Sequence, residues 1–157
     1  MNKITVTYVS SRDVARQHCA DLVMQNPEID LVAIPDGLSQ RGAWQAFSRS
    51  NVVVIDEDVI RREGFASVRL LQEAYSEINV MITMAAKDQE TVAWILMQGV
   101  RGVMLHADID ALLGKAIRRI HAGEIWAPRS LLEAFRQPAD NSGFADMVPQ
   151  TEWTLWH

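Results

Sequence analysis

The chain has 157 residues, 48% of them hydrophobic and 22% charged, with a net charge of −5 and an isoelectric point near 5.3. That length and balance suit one soluble globular domain able to bury a core without staples. The acidic balance lacks the basic footprint of a nucleic-acid binder, the single cysteine, Cys19, excludes an internal disulfide, and no apolar run is long enough to span a bilayer.

The N-terminus passes straight into a strand pattern and not into a signal peptide, so the protein is read as cytoplasmic, with no membrane partner. Lys3 to Val9 is rich in β-branched residues and reads as a first strand. Ser10 and Ser11 follow, and either is placed to cap a helix starting near Arg12. Val14, Cys19, Leu22 and Val23 recur at helical spacing, which assigns Cys19 to packing. Asn26-Pro27 breaks that helix. Ile29 to Ile34 is a second strand closed by the turn Pro35-Asp36-Gly37, and Gln40 to Phe47 a short helix.

Asn51 to Asp58 is the stretch around which the chain is organised. Four apolar residues, three of them valine, end in Asp56, Glu57 and Asp58. A continuous run of this kind suits a strand buried on both faces of a parallel sheet. Asp56 then stands at the carboxyl end of a central strand, where open α/β sheets place their ligand sites. Glu57 to Glu63 reads as a polar, solvated connection closed by Gly64. Phe65 to Tyr75 is a helix with Val68, Leu71 and Ala74 on one side. Asn79 to Met84 is a fourth strand, and Asp88 caps a helix ended by Gly99. Gly102 to Leu105 is a fifth strand, and Asp108 to Ala122 a fifth helix stopped by Gly123. Five strands alternating with five helices predict a parallel sheet covered on both faces. Residues 1–123 form this unit. Residues 124–137 read as an extra short helix or the start of a linker, and 138–157 as a linker or loose tail without a complete helix-turn-helix.

Three segments resemble a known family. Asp56 followed by Gly64, the stretch Gln98 to His106, and above all Ala116 to Trp126 (Ala-Ile-Arg-Arg-Ile-His-Ala-Gly-Glu-Ile-Trp) resemble the response-regulator receiver domains of LuxR/NarL-type transcriptional regulators. The resemblance spans about residues 3–136. It implies an α/β, flavodoxin-like (βα)5 fold with strand order 2-1-3-4-5, and a phospho-acceptor aspartate at Asp56.

The family's other parts are altered in this sequence. Its acid pair falls on Ser10 and Ser11, its Ser/Thr on Met84, its Lys on His106 and its switch aromatic on Val103. Thr83 is one residue early, and strand alternation is expected to point it the other way. A Mg²⁺ site with Asp56 as its family ligand is expected to be weak, with Asp58, in the same loop, or Asp13 as a substitute ligand. A histidine at position 106 stands in for the lysine only when protonated. The resemblance further implies a protein partner or homodimer through the fourth helix, fifth strand and fifth helix, at Trp94, Gln98, Arg101, Ala111, Lys115 and Arg118. Trp94 is read as either core or partner-facing.

The expected function is an atypical receiver that signals by protein–protein contact and is not an enzyme. The first alternative is a competent phospho-acceptor served by a histidine kinase. The second is a small-molecule sensor with a weakly charged pocket lined by Ser10, Ser11, Met84 and His106. DNA contact is expected only through a domain absent from this chain. The chain is either the receiver part of a longer regulator or a stand-alone protein with its own tail.

Overall fold

The computed structural model describes residues 3–85 and 88–127. Five parallel strands, β1 (Ile4–Val9), β2 (Ile29–Ala33), β3 (Val52–Asp56), β4 (Asn79–Met84) and β5 (Gly102–Leu105), pair in the order β2-β1-β3-β4-β5. This is the receiver order expected from the sequence. The helices are α1 (Val14–Gln25), α2 (Ala43–Phe47), α3 (Glu57–Glu63), α4 (Phe65–Ala74), α5 (Gln89–Met97) and α6 (Ile109–His121). A 3-10 turn, His106–Asp108, joins β5 to α6.

The strand β3 explains the layering. Its five residues are all buried, and its side chains alternate between two cores. Val53 and Ile55 pack with α2, α3, α4 and α5, while Val52 and Val54 pack with α1 and α6. Cys19 lies in the second core, and burial pushes its thiol up to about 12, which keeps it protonated and inert.

The segment Glu57–Glu63 departs from expectation: it is a helix and not a solvated connection. Its polar composition hides the reason. Glu57 and Asp58 occupy the first turn and Arg61 and Arg62 the last, the arrangement that complements a helix dipole. Val59 and Ile60 supply a fully buried face. Both ends are pinned. Glu57 accepts the Ala85 N–H at 2.7 Å and pairs with Arg61 at 3.3 Å. Glu63 accepts the Leu38 and Ser39 N–H groups at 2.7 and 2.9 Å, and Arg62 donates to the Asp36 carbonyl at 2.7 Å. Gly64 then breaks the helix from α4 with φ 85° and ψ 153°. The described residues therefore hold six α-helices, and the fourth and fifth helices of the sequence reading are α5 and α6.

Smaller differences follow the same logic. Ala74 is exposed and does not join Val68 and Leu71 in the core. The helix α1 starts at Val14, two residues past Arg12, and neither serine caps it. Asp88 does cap α5, accepting the Glu90 N–H. Residues 124–127 cover the edge of β5: Trp126 donates to the Arg101 carbonyl and accepts from the Val103 N–H. The remainder of 124–137, and all of 138–157, lie outside the described residues.

Gly64 sits in a backbone region that side chains other than glycine enter only with strain, so Gly64→Ala is expected to lower unfolding stability by about 1–3 kcal/mol. Urea denaturation of the two proteins measures the difference.

Candidate functional site

The strand ends converge on Asp56, which is 1% exposed. Register decides who meets it. Asp56 pairs directly with Thr83 on β4, and paired residues on neighbouring parallel strands share a face. The Thr83 hydroxyl accordingly donates to Asp56 Oδ1 at 2.8 Å. This corrects the sequence expectation for both residues. Thr83 faces the aspartate, and Met84 points to the opposite side, into the core of α2–α5. Val103, beside Ile82 in register, is buried in that same core.

His106, the first residue after β5, brings Nε2 to 2.5 Å from Asp56 Oδ1. Arg12, from the connection between β1 and α1, places its guanidinium 4.0 Å from the same oxygen. Ser10 is buried, and its hydroxyl accepts the Arg12 N–H at 3.1 Å, holding the connection rather than starting a helix. Ser11 reaches across to α3. Its N–H donates to Asp58 Oδ2 at 3.3 Å, and its hydroxyl bonds the same oxygen. Asp13 makes no side-chain cap bond at the start of α1.

Asp56 and Asp58 both line one cavity at the strand ends, and each shifts the other's ionisation, Asp56 upward and Asp58 downward. Asp56 Oδ2 and Asp58 Oδ1 are buried and meet no donor among the described residues. Two acids so placed need a shared proton or a cation between them. Burial raises the Asp56 carboxyl above its ordinary range, helped by Asp58, against the opposing bonds from His106 and Thr83. For Asp58 burial acts upward too, but the bonds with Asp56 and Ser11 outweigh it and hold the group low. Tyr8, also buried, is raised well above its usual value by burial and by the Asp56 charge.

A cavity of about 640 Å³ opens above these groups, with Ser11, Arg12, Asp58, Arg61 and His106 in its lining. It is charged, and Ser10 and Met84 do not line it, so among the described residues this cavity is not the weakly charged pocket expected from the sequence. Trp94 is buried against Phe65, with ring centroids 4.8 Å apart. Gln98 bonds Arg69 and the Trp94 carbonyl, and Arg101 bonds the Gly123 carbonyl. Ala111, Lys115 and Arg118 line a cleft between α1 and α6, where Arg118 pairs with Glu28 at 2.8 Å.

Sequence reasoning passed over Arg12 and misplaced Thr83. Arg12 is the basic residue in the short β1–α1 connection, and that position was the available signal. Thr83 was legible only by counting register from Asp56, because buried residues on both faces of β4 mask its alternation.

Two outcomes follow. Thr83→Val removes a donor from a buried carboxyl and is expected to cost about 1–3 kcal/mol in unfolding free energy, read from denaturant titration. Asp56 has a raised carboxyl, so its favourable contribution is present at acid pH and lost as pH rises. Asp56→Asn is therefore expected to gain thermal stability over the parent at pH 7, with the gain shrinking toward pH 4. Melting curves across that range check it.

No family model matches the chain. It is 25% identical over 125 residues to the transcriptional regulatory protein DegU of Brevibacillus brevis, covering 78% of this chain. The chain spans about half the length, 52%, of that curated relative. Among solved structures, the isolated receiver domain of RcsB from Salmonella enterica serovar Typhimurium, with phosphomimetic BeF3−, superposes with a TM-score of 0.70 at 12% identity, over 84% of this chain and 98% of that one. A LuxR-family two-component response regulator from Aurantimonas sp. SI85-9A1 gives 0.71 at 16% identity, over 84% and 94%. An RcsB–DNA complex gives 0.69 at 11% identity, over 90% and 74%. Strand order and these neighbours show the fold: the chain has the receiver fold, the same fold as the RcsB receiver domain and the LuxR-family response regulator.

Proposed function

We propose that this chain is an atypical receiver, a signalling module linked to transcription that acts through protein–protein contact, with its pocket held by its own side chains. The observation that carries this reading is the engagement of Asp56 Oδ1 by Thr83, by His106 and, at 4.0 Å, by Arg12. A phospho-acceptor carboxylate has to attack a phosphoryl group, which requires a metal ion to offset crowded negative charge. Here donors and cations of the chain already stabilise one oxygen, and the family's acid-pair positions are serines. The link to transcription is supported by DegU, a transcriptional regulatory protein, and by the RcsB dimers seen bound to DNA. The partner contact is assigned to the face of α5, β5 and α6, where Gln98 and Arg101 stand, or to the α1–α6 cleft with Lys115 and Arg118. DNA contact is assigned to a separate domain, because an acidic chain offers no basic footprint.

The buried, unpartnered oxygens of Asp56 and Asp58 in one cavity favour a second reading, a competent phospho-acceptor served by a histidine kinase. Mg²⁺ is held by one or two carboxylates, with waters and phosphate oxygens completing its octahedron. The buried, donor-free oxygens of Asp56 and Asp58 fit that donor set. The ion would supply charge neutralisation at the phosphoryl group. Ser11 then orients Asp58, Thr83 donates its hydroxyl toward the acceptor, and His106 takes the position of the family lysine.

Intact mass after incubation with a small-molecule phosphodonor and Mg²⁺, beside Asp56→Asn, separates the two. The atypical reading expects no phosphate-sized gain. A gain that disappears in Asp56→Asn replaces it with the second reading.

A further inference from the structure

We propose that Arg12 is a resident cation that competes with a divalent metal ion for the Asp56–Asp58 pair. The inference rests on reading that pair as a cation site. Arg12 has the means to act there. Its backbone is fixed by the Ser10 hydroxyl, its side chain is 37% exposed, and its guanidinium stands 4.0 Å from Asp56 Oδ1 inside the cavity that Asp58 also lines. A guanidinium keeps its charge at every pH at which the protein folds.

The neighbouring charges are already directed elsewhere. Glu57 is held by Arg61 and by the Ala85 N–H, and Arg62 reaches the Asp36 carbonyl on the far side of α3. His106 approaches Oδ1 from the end of β5, while Thr83 brings a neutral hydroxyl to the same oxygen. Of the three arginines that line the cavity, Arg12 is the one whose ion pair is with Asp56. A divalent ion at the pair would have to displace this guanidinium or sit a few ångströms from it, and either weakens binding. The metal affinity of the site is thus set by a residue in the connection where the family carries its metal-binding acids. Sequence has exchanged a ligand for a competitor.

The test is isothermal titration of Mg²⁺ into the whole chain and into Arg12→Ala, Arg12→Gln and Arg12→Lys. Arg12→Ala and Arg12→Gln are expected to bind roughly tenfold tighter than the parent, the scale of one unit charge removed from beside the pair in a partly solvated site. Arg12→Lys keeps the charge and is expected to stay near the parent. Adding Asp56→Asn is expected to abolish the gain. Circular dichroism confirms that each variant is folded, and Arg12→Gln preserves most of the side-chain stem should Arg12→Ala lose its packing. Equal affinity in parent and Arg12→Ala, uptake by neither, or a gain in Arg12→Lys as large as in Arg12→Ala would each overturn the proposal. Phosphorylation of the parent at Asp56 would overturn the atypical reading without altering this comparison.

Discussion

Asp56 brings a carboxyl group to the buried end of the central strand, and a charge in that position persists only if its surroundings compensate for lost water. The neighbours can be ordered by that demand. Thr83 supplies a hydroxyl because register sets it alongside. His106 supplies a ring nitrogen because β5 ends where β4 carries Met84. Arg12 supplies a full charge because the β1–α1 connection runs over the strand ends. Asp58, lining the same cavity, raises the Asp56 carboxyl against them, so the site is a balance between acids and cations.

The helix α3 extends that balance beyond the pocket. Within seven residues it places Glu57 and Asp58 at the site, and Arg62 and Glu63 at the loop after β2. Its middle, Val59 and Ile60, is buried without exposure, so the helix moves as a unit or not at all. Burial opposes the charge on Glu63, yet the bonds from Ser39 and Leu38 prevail and hold its carboxyl low, which keeps that far contact ionic.

How much of this was legible in the sequence depends on the kind of signal. The alternation of strands and helices, the buried valine run, the Asp88 cap and the helix stop at Gly99 follow from local patterns that are strong in one dimension, whereas the strand order came from the family resemblance. The helix α3 was hidden because five of its seven residues are charged and outweigh Val59 and Ile60 in any composition-based reading, and only the charge asymmetry of its two ends marked it. The site was hidden for a different reason. Motif positions named Met84 where the pairing of β3 with β4 selects Thr83, and they named serines where the next residue, Arg12, carries the charge.

A pocket of this type depends on where charges and donors stand in space rather than on which position delivers them. An acid, a hydroxyl and a nitrogen base all surround Asp56, but the acid arrives from α3 and the connection that normally brings acids delivers a guanidinium. That exchange differs in kind from a simple loss. Removing acids alone would leave Asp56 underserved by metal and open to water, whereas adding Arg12 gives it a permanent partner that needs no ion from solution. The fixed charge lowers the cost of burying Asp56, and by the same Coulomb interaction raises the cost of admitting a second cation beside it. Stability of the pocket at rest and its readiness to take up metal are therefore opposed, and the side chain of one residue sets the point between them.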